Sequence, residues 1–173
     1  MIKNILKGIG IIILAILQLA VISKISILGI APNLILIIAV ALMLRSRPYD
    51  AFLIILIGGT ILDIGSSLKF GILIIIYLVI LILIYLLINR ISLIPNYFFS
   101  LLVFIGAFLF LNTITSLVYS GSLHWEILSD SAVNSLWGIL ILLLIQRFIS
   151  ERKEITYSAR ALARGVSLKW RRG

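Results

Sequence analysis

The sequence predicts an all-α integral membrane protein, with six transmembrane helices gathered into one bundle. Composition carries much of that reading: 62% of the 173 residues are hydrophobic and 12% are charged, whereas a soluble domain is about half apolar and about a quarter charged. The mean hydropathy is +1.27. The apolar residues come in runs of about 20, the length a helix needs to cross roughly 30 Å of hydrocarbon. A membrane barrel would instead show alternating segments of about 10 residues. Isoleucine is abundant, but its strand preference yields where each segment must satisfy its own backbone groups.

Taken in order, the first run covers residues 5–22, behind Lys3 and Lys7. It has the look of a signal peptide, yet no small-x-small cleavage pattern follows it and further spans come directly after, so it is read as a retained helix. The second run, 25–44, has Gly29, Pro32 and Asn33 near its start. Proline suits a first helical turn, so the regular helix is expected to begin near Pro32. RSRPYD, residues 45–50, is a polar turn whose proline starts a short third helix, 49–64, ending in GSS. The fourth run, 70–88, closes at Asn89 and Arg90, and a second proline-bearing turn, ISLIPN, precedes the fifth, 97–119. SGSLHWEILSDS, 120–131, reads as an external loop before the sixth run, 132–149. The chain therefore divides into a transmembrane domain, 1–149, and a tail, 150–173.

Charge sets the orientation. All 15 lysines and arginines except Lys24 and Lys69 fall on one side of a six-span topology, and the positive-inside rule makes that side the cytoplasm, with both termini on it. The net charge of +9 is thus a membrane signature and does not call for nucleic acid. With no cysteine and a single histidine, His124, disulfides, thiolate sites and a histidine metal cluster are excluded. No acid, base and nucleophile converge, so neither catalysis nor a cofactor is expected.

Four groups of residues invite a closer reading. Asp63 lies fifteen residues beyond Pro48, about 22 Å along its helix, in the outer part of the membrane. Near a helix C-terminus a carboxylate is disfavoured, so either Lys69 or Lys24 pairs with it or headgroup water solvates it. Gly58 and Gly59 give their helix a small face for close packing, within the bundle or against a partner helix. Gly65 reads as a C-cap or turn glycine. Asn112, Thr115 and Ser116 share a helix face and, with Asn134, could line a polar pocket or simply bond one helix to the next. In the tail, Ile155, Ala159, Leu162, Val166 and Trp170 recur at helical spacing while Arg160, Arg164 and Lys169 take other faces. That pattern is a basic amphipathic helix suited to the anionic surface of the lipid bilayer.

The stretch 31–87 resembles the rod-shape-determining protein MreD family. The resemblance rests on Pro32 and Asn33 opening an apolar helix, the basic turn at Arg45 and Arg47, Gly58 and Gly59 followed by Leu62 and Asp63, and then Gly65 and Gly71. It implies a non-enzymatic subunit of the bacterial elongation machinery in the inner membrane. Such a subunit scaffolds or regulates side-wall peptidoglycan synthesis with the bitopic protein MreC, the filament protein MreB, a RodA-type polymerase and a class B transpeptidase. Gly58, Gly59, Asp63, Pro32 and Asn33 become the expected partner interface. The family is also similar in fold to the substrate-binding S components of energy-coupling-factor vitamin transporters, the rival reading. Those dock through an Ala-x-x-x-Ala contact in the first helix, whereas here Ala15 and Ala20 are five apart.

Overall fold

The computed structural model describes the backbone at residues 2–20, 31–66, 68–91, 97–120 and 125–163, with side chains described at 5–20, 31–66, 68–90, 98–119 and 125–147. Among these residues the structure is helical and has no strand. The helices are α1 (Ile2–Ala20), α2 (Leu34–Leu44), α3 (residues 48–64), α4 (Ile72–Ile91), α5 (Tyr97–Ser120) and α6 (Glu126–Ala163). Within them Ile72–Arg90, Phe98–Tyr119 and Glu126–Arg147 are long and apolar enough to cross a membrane. The protein is accordingly a helical membrane protein.

At the centre sits α2. Its sequence LILIIAVALML is apolar on every side, and Ile35, Leu36, Ile37, Ala39, Val40 and Ala41 are fully buried. A helix apolar all round belongs inside a bundle, and α2 packs against α1, α3, α4 and α6. It has 11 residues, a rise of about 16 Å. It starts at Leu34, two residues past Pro32, with Asn33 as its N-cap. Its C-terminus closes in a Schellman arrangement: the Arg47 N–H reaches the Leu42 carbonyl and the Ser46 N–H that of Met43, with Ser46 at φ 56°.

Pro48 opens α3, which is α-helical over Pro48–Ile54, widens into a π turn over Ile55–Gly59, and returns to α-helix over Thr60–Ile64. Adjacent residues on a helix point about 100° apart, so the glycine pair serves two neighbours. A Cβ on Gly58 would stand 2.8 Å from Ile35 Cδ1 of α2 and 3.3 Å from Ile11 Cγ2 of α1. One on Gly59 would stand 3.4 Å from the Tyr77 ring of α4. Gly65 caps α3, and the space its side chain would fill holds Leu19 of α1.

The last helix differs from its predicted form. It starts at Glu126, inside the stretch read as a loop, and continues through Ser150 to Ala163 without a break. EILSDS carries Glu126 in the first turn, which the helix dipole favours, so these polar residues begin a helix as readily as they make a loop. α5 and α6 lie close along their length, where Gly138 accommodates Phe104: a Cβ there would be 2.5 Å from the ring. Of the tail residues, Arg160 is helical in backbone, while Arg164, Lys169 and Trp170 lie outside the described residues, as do Lys24 and His124.

Candidate functional site

Among the described residues, two polar centres are each built around a helix N-terminus. The first amides of a helix have no partner within it, and in hydrocarbon an unpaired amide costs several kcal/mol, about 4–8 on water-to-cyclohexane transfer. Side chains from neighbouring helices must supply the acceptors.

At the start of α4 the acceptor is Asp63. Its side chain is 2% exposed; one carboxylate oxygen accepts the Gly71 N–H and the other accepts the Leu73 N–H at 2.9 Å. Gly71 sits at φ +96°, a region that favours glycine, and this bends the turn so that its N–H meets the carboxylate. Ser66 Oγ donates to the Asp63 carbonyl at 2.8 Å. This corrects the reading of a carboxylate solvated at the headgroups: Asp63 is buried and caps a helix, Lys69 is exposed, and Lys24 lies outside the described residues. The reason is positional. Asp63 lies at the unfavourable end of its own helix but against the favourable end of the next one.

At the start of α2, four helices converge. The Asn33 side chain accepts from the Leu36 N–H at 3.3 Å as an N-cap and from Gln18 Nε2 of α1 at 3.3 Å. Gln18 Oε1 accepts the Ile35 N–H at 2.9 Å. Asn134 Oδ1 of α6 accepts the Asn33 N–H at 2.9 Å, and Asn33 Nδ2 donates to the Tyr77 hydroxyl of α4 at 2.5 Å. Asn134 Nδ2 in turn donates to the Asp130 carbonyl at 2.9 Å. Among the described residues no buried side-chain nitrogen or oxygen is left without a partner. The cluster therefore locks α1, α4 and α6 onto the end of α2.

The predicted pocket residues divide between this cluster and another place. Asn112, Thr115 and Ser116 line one cavity of about 430 Å³ with Ser66, Tyr119, Glu126 and Asp130. Asn134 is not among its lining residues and belongs to the Asn33 cluster. Asn112 Nδ2 also donates to Ser131 Oγ of α6 at 3.1 Å, so it ties the helices together while facing the cavity. The predicted interface residues also move. Gly58, Gly59, Asp63 and Pro32 are buried and Asn33 is half-buried; the glycines, Asp63 and Asn33 meet neighbouring helices of their own chain.

Comparison of the chain with protein-family models, curated proteins and solved structures finds no match. The site must be read from its own chemistry. The inner clusters consist of amides, a phenol and one carboxylate, all satisfied by hydrogen bonds. The cavity beside Glu126 and Asp130 is a further polar opening.

Tyr77 is the member of the Asn33 cluster that sequence reasoning missed. A tyrosine within ILIIIYLVILILIYLL reads as one more apolar position, and the only signal is chemical: its hydroxyl must find a partner when buried. Ser131, which is buried, was hidden by the loop reading of SGSLHWEILSDS.

Proposed function

We propose that this chain is an MreD-like, non-enzymatic subunit of the bacterial elongation machinery, crossing the inner membrane six times with both termini in the cytoplasm. The observation that carries the reading is that the resemblance residues form one structural unit. Gly58 and Gly59 seat α3 against α1, α2 and α4, and Asp63 with Gly71 joins α3 to α4. A sequence pattern that coincides with a packing unit is what a rigid scaffold requires.

Charge supports the orientation. Arg45 Nη1 donates to the Ile145 carbonyl of α6 at 3.3 Å, and Lys7 pairs with Asp50 at 2.7 Å. The α4 helix, joined to the far end of α3 through Asp63, returns Arg90 to this same end. Cations collected at one end of a bundle mark the cytoplasmic side.

The partners in this reading are an MreC-like bitopic protein, with a RodA-type polymerase and a class B transpeptidase in the larger assembly. Since Gly58 and Gly59 are buried in the bundle, the partner's membrane helix meets lipid-facing surfaces instead. Depletion tests the function: rod-shaped cells round up, and an MreC-like protein no longer co-purifies with the polymerase. Cells that keep their shape through depletion refute it.

One observation favours the substrate-binding S component as a second reading. It is the polar cavity of Asn112, Thr115, Ser116, Glu126 and Asp130, at the end opposite the arginines. In that case depletion abolishes uptake of one vitamin, and Glu126→Gln with Asp130→Asn weakens its binding while shape is preserved.

A further inference from the structure

A second cavity, about 490 Å³, is a groove between α4 and α5 with an almost wholly apolar lining. Ile84, Val103 and Ala107 are buried on its floor, and Leu83, Leu87, Leu102 and Phe110 are exposed along its rims. Both helices are long and apolar enough to span a membrane, so the groove opens to hydrocarbon. Gly106 creates it. A Cβ at Gly106 would meet nothing within 4 Å, unlike Gly58, Gly59 and Gly138, each of which faces a side chain of its own bundle. Apolar surface in a membrane protein is normally close-packed, and a gap of this size forfeits dispersion contacts unless something fills it.

Charge selects the occupant. On the row Leu83, Leu87, Arg90, at i, i+4 and i+7, the groove's edge ends in a cation. Arg90 is exposed and its long side chain can lie over the mouth. We propose that this groove is a binding site for one acyl chain of an anionic phospholipid, whose phosphate is held by Arg90. The proposal is independent of the cell-shape reading, since it depends only on the α4–α5 surface.

The test uses the full-length protein purified in detergent, offered equal amounts of phosphatidylglycerol and phosphatidylcholine, with bound lipid counted by native mass spectrometry. One arginine at a membrane surface corresponds to about a fivefold preference for the anionic lipid. Arg90→Gln is expected to bring the two lipids to equal retention. Gly106→Leu is expected to reduce retention of both, with a thermal melt no lower than the parent's because its Cβ enters open space. Equal retention of the two lipids by the unmodified protein overturns the headgroup assignment, and full retention by Gly106→Leu overturns the groove. A photo-crosslinker placed at position 106 in native membranes should capture lipid; capture of a polypeptide instead also overturns the site.

Discussion

Replacing Asp63 by alanine removes the acceptors of two amides, those of Gly71 and Leu73. The Leu73 N–H is buried and the Gly71 N–H only partly so. An unsatisfied buried donor costs about 1–3 kcal/mol, with the lower end where water or headgroups reach it. Loss of an N-cap by itself costs about 0.5–2 kcal/mol. The expected destabilisation for Asp63→Ala is therefore about 2–4 kcal/mol. Asp63→Asn keeps one carbonyl oxygen but turns an NH₂ toward the other amide, so it loses one bond and falls between, at about 1–3 kcal/mol. Lys69→Ala, at an exposed side chain, should stay within about 0.5 kcal/mol of the parent. Unfolding in nanodiscs followed by circular dichroism gives the ordering, and hydrogen exchange at Gly71 and Leu73 localises it. If Lys69→Ala costs as much as Asp63→Ala, or if exchange at those two amides is unchanged in Asp63→Ala, the capping account is wrong.

The glycines give a paired prediction. Gly58→Leu drives a side chain into Ile35 and should cost about 1–3 kcal/mol or more by overpacking. Gly106→Ala, in open space, should raise stability by about 0.5–1 kcal/mol through helix propensity; comparable losses at both positions would contradict the packing assigned to α3. Tyr77→Phe leaves Asn33 Nδ2 without its acceptor and should cost about 1–3 kcal/mol, measured by the same unfolding assay. An unaltered melt would mean that the Asn33 cluster does not hold α2. The Lys7–Asp50 pair has a half-exposed lysine, 53% by side chain, so Lys7→Ala should cost less than about 1 kcal/mol, and the difference should shrink as salt is raised.

Hydropathy and local chemistry make the helices legible in the amino-acid sequence. Pro48 at the head of α3, Gly65 at its end and Asn33 at the head of α2 follow from rules that act within one turn of chain. Apolar content alone could not separate a spanning helix from a short central one: α2 is as hydrophobic as α4, yet it is 11 residues long and enclosed by the others. Nor could polarity place the start of α6, since Glu126, Ser129 and Asp130 suit a loop and a first turn equally.

The amino-acid sequence by itself determined the class of the protein, a helical membrane protein, because solvation in hydrocarbon acts on each segment separately. Only the tertiary structure decided what the polar residues do. A carboxylate at residue 63 takes its role from the helix whose amides it meets, and that helix comes after a turn. Gln18, Asn33, Tyr77 and Asn134 are separated by as many as 101 positions between bonded partners, and no local pattern relates them. Gly58 and Gly106 are both glycines in apolar helices, yet one is filled by its neighbours and the other is open to the membrane. What surrounds a residue is a property of how the helices pack, and in this bundle that packing separates the buried caps from the open groove.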